Sequence, residues 1–191
     1  KMAMAFADLL NQEARALQAQ GVDIIQFDEP AFNVYMQDAA DWGVAAVERA
    51  AAGLTCTTAV HICYGYGIKA NDDWKKTLGD EWNQYELVLP VLAKSSIKQV
   101  SLESYHSHVP AHLMALLEGK DVMVGVIDVA SDEIETPEQI ADTIGRALQF
   151  VPKNKLFPCT NCGLAPMSRE VAIKKLEALD KGAALARTRF A

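Results

Sequence analysis

The chain has 191 residues, 50% of them hydrophobic and 23% charged, with 18 Lys and Arg against 25 Asp and Glu for a formal charge of −7, a globular composition whose acidic balance offers nothing to nucleic acid or an anionic membrane surface. No apolar run approaches the roughly 18 to 20 residues that span a bilayer, and Asp8 interrupts the apolar start, which excludes a transmembrane segment and argues against a signal segment. Four cysteines are too few for a disulfide scaffold, so a reducing, cytoplasmic compartment is expected.

Over residues 2–20 the apolar positions Phe6, Leu9, Leu10, Ala14 and Leu17 recur three or four apart and Gly21 follows as a C-cap, predicting an amphipathic helix. A buried strand over 22–27 ends in the polar turn Asp28-Glu29-Pro30. A helix over 38–52, a strand over 56–63, a long polar segment and a helix over 82–93 follow. The alternation continues with a strand over 97–103, a helix over 110–117, a strand over 122–127, a helix over 137–150, a strand over 156–158 and a helix over 168–187. Trp42, Trp74 and Trp82 read as packing residues, and the Tyr64-Gly65-Tyr66-Gly67 loop reads equally as a pocket lining or a flexible turn.

No linker or low-complexity tract divides the chain, which reads as a single domain. Parallel βα units build either a doubly wound sheet or a (β/α)8 barrel. The turns after Phe27 and Cys63 read DEPAF and YGYG, and neither is a phosphate-binding glycine loop. A chain that opens on a helix and stays below the roughly 250 residues of a full barrel fits the C-terminal five βα units of a (β/α)8 TIM barrel, so the fold class expected is α/β.

Polar residues collect where the strands end: Asp28, then His61 and Cys63, Glu103, Asp128, and Cys159 with Cys162. In a parallel barrel those ends share one mouth. The strand period of two aims His61 and Cys63 at one side with Ile62 reversed, so both can serve one metal, with Glu103 and Cys162 completing a nitrogen, sulfur and oxygen set that suits zinc. Against this, a lone HxC also describes a core histidine beside a buried cysteine, Cys159-x-x-Cys162 also describes a redox pair, and Asp28 and Glu103 are each compatible with solvated loops.

The segments IIQFDEPAF, VHICYG, VSLESYHS, GVIDVASDEIE and PCTNCGL, in this order, resemble the C-terminal catalytic barrel of cobalamin-independent methionine synthases, in its shorter core-type form. The resemblance implies residues 1–191 as the C-terminal part of a single catalytic barrel. It implies a zinc-dependent methyl transfer to the thiolate of homocysteine, forming methionine. It assigns His61, Cys63, Glu103 and Cys162 as zinc ligands and Asp28 as the residue holding the homocysteine amino group, with Cys159 outside the pattern. The resemblance breaks at Ala130, where folate-using members carry a histidine that protonates the departing folate nitrogen. Either His106 or His108 substitutes as the acid, or the methyl donor is a methylcorrinoid protein rather than methyltetrahydrofolate. The alternatives are a zinc-dependent alkyltransferase acting on another thiol such as coenzyme M, and a zinc-stabilised binding module.

Overall fold

In the computed structural model, which describes residues 1–65, 69–105 and 108–191, five strands form one parallel sheet: β1 (Ile24–Glu29), β2 (Thr57–Ile62), β3 (Gln99–Leu102), β4 (Asp121–Ile127) and β5 (Leu156–Thr160). Their order in space is their order in the chain, β1-β2-β3-β4-β5. A doubly wound sheet reverses direction at a switch point, and this one does not. The sheet therefore matches a partial (β/α)8 barrel. The three inner strands are buried almost throughout, as a parallel sheet covered on its faces requires, whereas β1 and β5 are edge strands with partly exposed residues.

Helices α1 (Met2–Ala19), α2 (Met36–Asp38), α3 (Val44–Ala51), α4 (Lys69–Lys75), α5 (Leu89–Lys94), α6 (Pro137–Ala147) and α7 (Arg169–Arg189) connect and flank the strands. The core lies between them and the sheet, built from Val60, Ile62, Leu89, Leu92, Val100, Leu102, Val122, Val124 and Ile140. Local signals set the helix ends. Gly21 takes φ +88° directly after the α1 cap, Thr136 and Gln139 form a reciprocal capping box ahead of α6 with Pro137 in the first turn, and Ser168 accepts the Val171 N–H at the start of α7. Among the described residues no helix is long and apolar enough to cross a membrane.

Three helix expectations are corrected. The helix expected over 82–93 is a 3₁₀ turn, Gln84–Glu86, followed by α5. Pro90 lacks an N–H and stands only in the first turn of a helix, so no continuous helix can run through it. The expected helix over 110–117 is a 3₁₀ segment, Ala111–Leu117, whose winding stretches it by about a third relative to an α-helix. A π-helical turn, Ala39–Gly43, separates α2 from α3, and Trp42 on it is exposed, with its indole N–H donating to Asp38 Oδ1 at 3.2 Å. The amphipathic helix expected over 2–20 is present as α1, its apolar face open, with Phe6 59% exposed, and it packs on α3 through the small residues Ala7 and Ala14. Phe6 and Leu10 line an open apolar groove of ≈ 570 Å³ with Phe27, Ala46 and Ala50, beside the free edge of β1.

Candidate metal centre

The sheet register places Asp28, His61 and Ser101 side by side on adjacent strands, so their side chains share one face. Ile62 points the other way and is fully buried in the core. Cys63 lies one residue beyond the end of β2, Glu103 one beyond the end of β3, and Cys162 two beyond β5. One ligand atom from each of His61, Cys63, Glu103 and Cys162 lies within 4.8 Å of all the others. Among the described residues this is the set of His, Cys, Asp and Glu side chains so grouped.

Each donor is held by a neighbour. His61 Nδ1 is hydrogen-bonded to Ser101 Oγ at 3.0 Å, which leaves Nε2 facing inward. Nε2 is buried and makes no hydrogen bond, a costly state unless its lone pair serves another partner. Glu103 is 0% exposed, and its Oε1 accepts the Tyr64 N–H at 2.8 Å. Cys63 Sγ accepts the Gly65 N–H at 3.1 Å and stands 3.4 Å from Cys162 Sγ. The two sulfurs act on each other: the hydrogen bond to Cys162, with burial, pushes the Cys63 thiol up to about 12, and the same bond lowers that of Cys162. Burial opposes a charge on His61, but the Cys63 sulfur and the charges of Glu103 and Asp28 outweigh it and raise its pKa above the usual value. An imidazole nitrogen without a partner, a buried carboxylate and two adjoining sulfurs are the donors a tetrahedral divalent cation takes, so the residues fit such an ion.

The other expected site residues are placed differently. Asp28 is exposed at the end of β1, accepts a hydrogen bond from Gln26 Nε2 at 2.9 Å and acts on His61 through its charge. His108 is exposed, with φ +53°, and its ring lies 5.5 Å from that of Trp82. His106, Tyr66 and Gly67 lie outside the described residues. Tyr64 is buried against Trp74, Trp82 and Tyr85. Ala130 donates its N–H to Asp128 Oδ1 at 2.8 Å. Cys162 meets Cys63, while Cys159 Sγ sits 4.0 Å from Ser101 Oγ, and both are free thiols. Sequence reasoning missed Ser101 in β3, two residues before Glu103, and Asn161, which adjoins Cys162.

The family model described as "Cobalamin-independent synthase, Catalytic domain" matches residues 1–184. A solved B12-independent methionine synthase from Shewanella sp. W3-18-1, in complex with selenomethionine, is 60% identical with a TM-score of 0.94 over 98% of this chain and 55% of its own. Methionine synthases from Saccharolobus islandicus and Saccharolobus solfataricus are 32% and 30% identical over 183 residues, 95% of this chain and 49% of theirs. A solved methyltransferase from Methanosarcina mazei, 17% identical with a TM-score of 0.58 over 94% of this chain and 46% of its own, shares the fold. The chain spans about half the length of the curated relatives it matches. By the match over residues 1–184, the chain belongs to the cobalamin-independent synthase catalytic-domain family.

Proposed function

We propose that this chain is the C-terminal part of a single catalytic (β/α)8 barrel that transfers a methyl group to the thiolate of homocysteine, forming methionine, with zinc held by His61, Cys63, Glu103 and Cys162. The grouping of those four donors within 4.8 Å carries the reading, and membership of the family supports it. The free edges of β1 and β5 and the groove beside α1 are where the remaining strands and helices of a closed barrel would dock. The whole reaction belongs to that closed form.

A free thiol with pKa near 8.5 is only a few per cent thiolate at pH 7, so forming the nucleophile costs about 2 kcal/mol. Zinc at these four residues would supply the Lewis acidity that converts a bound thiol to thiolate near neutral pH. Four protein donors fill a tetrahedral set, so an entering sulfur needs one donor to withdraw. Glu103, the hard oxygen donor among softer ones, would be the least tenacious of the four donors, and its Oε1 already accepts the Tyr64 N–H at 2.8 Å. Asp28, on the same face as His61, holds the ammonium group of homocysteine. With alanine at 130, proton delivery to the leaving group falls to His106 or His108, or the donor is a methylcorrinoid protein that needs no such proton.

The test is zinc content by elemental analysis of the full chain, followed by zinc-edge X-ray absorption with and without homocysteine. One zinc that exchanges an oxygen for a sulfur neighbour on adding homocysteine supports the proposal. A response to coenzyme M alone transfers the reading to a different alkyl acceptor, a site inert to any thiol makes the zinc structural, and absence of zinc rejects the proposal.

A further inference from the structure

The ladder of the sheet positions only His61 of the four donors, and Cys63 directly follows the end of β2. β3 ends at Leu102 and β5 at Thr160, so Glu103 and Cys162 both stand beyond the last paired residues. Between them lies Asn161, 0% exposed. Its Oδ1 accepts the N–H groups of Ser104 at 3.2 Å and Tyr105 at 3.3 Å, and its Nδ2 donates to the Tyr105 carbonyl at 2.6 Å. Its backbone N–H donates to Ile127 O at the end of β4 at 2.9 Å. One side chain thus makes three hydrogen bonds to the two residues that follow Glu103, while its own backbone leads into Cys162.

The sheet makes room for this residue. A Cβ at position 125 of β4 would overlap Asn161 Oδ1 and stand 2.9 Å from both Asn161 Cα and Leu102 O, so only glycine lets the carboxamide reach the β3 loop. The pairing of β4 with β5 carries a register irregularity between Gly125 and Ile127, directly before Asn161. A buried amide with three of its four hydrogen-bonding directions spent on one loop fixes that loop relative to its own backbone.

We infer that Asn161 is the positioning residue of the metal centre: it sets the separation between the Glu103 carboxylate and the Cys162 sulfur, and so how firmly Glu103 is held as a donor. The inference rests on the reading of these four residues as a zinc site. Removing a partner that orients a metal ligand typically weakens metal binding by about 10- to 100-fold.

The experiment measures zinc affinity by chelator competition, and the visible spectrum after cobalt substitution, in the full chain and in Asn161→Ala, Asn161→Asp, Glu103→Gln and the Asn161→Ala/Glu103→Gln pair. Asn161→Asp keeps the volume and the acceptor oxygen while removing the N–H given to Tyr105. The expected result is a roughly 10- to 100-fold loss of zinc affinity and an altered cobalt spectrum in the Asn161 variants, with no further loss when Asn161→Ala is added to Glu103→Gln. Unchanged affinity in folded Asn161 variants, or losses that simply add in the pair, overturns the inference while leaving the zinc reading intact. Unfolding of both single Asn161 variants overturns it as well, because the residue then holds the sheet rather than two ligands. A parent chain without zinc overturns the proposed function itself.

Discussion

Lys175→Met is expected to be among the most damaging single changes away from the candidate metal centre. The Lys175 side chain is 0% exposed, reaching from α7 into the loop after β4, where Nζ donates to Glu133 O at 2.5 Å and to both carboxylate oxygens of Glu135 at 3.0 Å. Glu135 is itself buried, and its Oε1 accepts the Asp128 N–H at 2.8 Å, so the pair closes the loop over 128–135 against the end of β4. Methionine fills much the same volume but leaves the Glu135 carboxylate buried without its counter-charge. Breaking a buried pair from one side typically costs about 3–5 kcal/mol. For a chain of this size each kcal/mol lowers Tm by roughly 2–4 °C, so a fall of roughly 6–20 °C is expected. Differential scanning calorimetry and urea unfolding read it directly, and Lys175→Met/Glu135→Gln should recover part of the loss because the stranded charge is gone. A single variant within about 1 kcal/mol of the parent, or a double variant worse than the single by a further full increment, would refute the account of the pair as a desolvated charge balance.

Gly182→Ala is expected to destabilise by about 1–3 kcal/mol, since its Cβ would overlap Ile140 Cγ2 and stand 2.5 Å from Ile140 Cβ where α6 and α7 meet; unchanged urea unfolding would show that the helices separate without cost. Burial raises the Glu29 carboxyl above 4.5, against the opposing effect of its hydrogen bond from the Ala31 N–H. Its contribution to stability is therefore present below the unfolded pKa and lost as pH rises through the folded one. Glu29→Gln should gain on the parent in Tm as pH increases above about 4.5, and a parallel pair of pH profiles would reject this. Ala130→His should raise turnover with methyltetrahydrofolate by up to about 10² to 10⁴-fold if the absent acid is the sole obstacle, and no gain in a steady-state assay rejects that explanation.

Much of the architecture was legible along the chain because it follows from local backbone geometry. Alternating apolar runs and helical periodicities announce the βα rhythm, Gly21, Thr136 and Ser168 mark helix ends through their own caps, and the period of two in β2, carried one residue past its end, points to His61 and Cys63 on one side. Pro90 is equally local, and it stops the continuous helix that the apolar pattern of 82–93 suggests. The apolar stripe of α1 showed which face is apolar, not whether anything covers it.

What only the tertiary structure decided are relations between residues far apart in the chain. Strand order and register bring Ser101 beside His61 and Cys162 within 3.4 Å of Cys63, partners 40 and 99 residues away. The same holds for Asn161 against Ser104 and Tyr105, and for Lys175 against Glu135. Periodicity states which way a side chain faces; it carries no information on which strand lies alongside or at what offset, and a hydrogen bond forms or fails over less than an ångström. The sequence by itself determined the donors, the strand ends that carry them and the alternation of helices and strands. The packed sheet, through its unreversed strand order and the space left by Gly125, decided that those donors meet and which residues hold them.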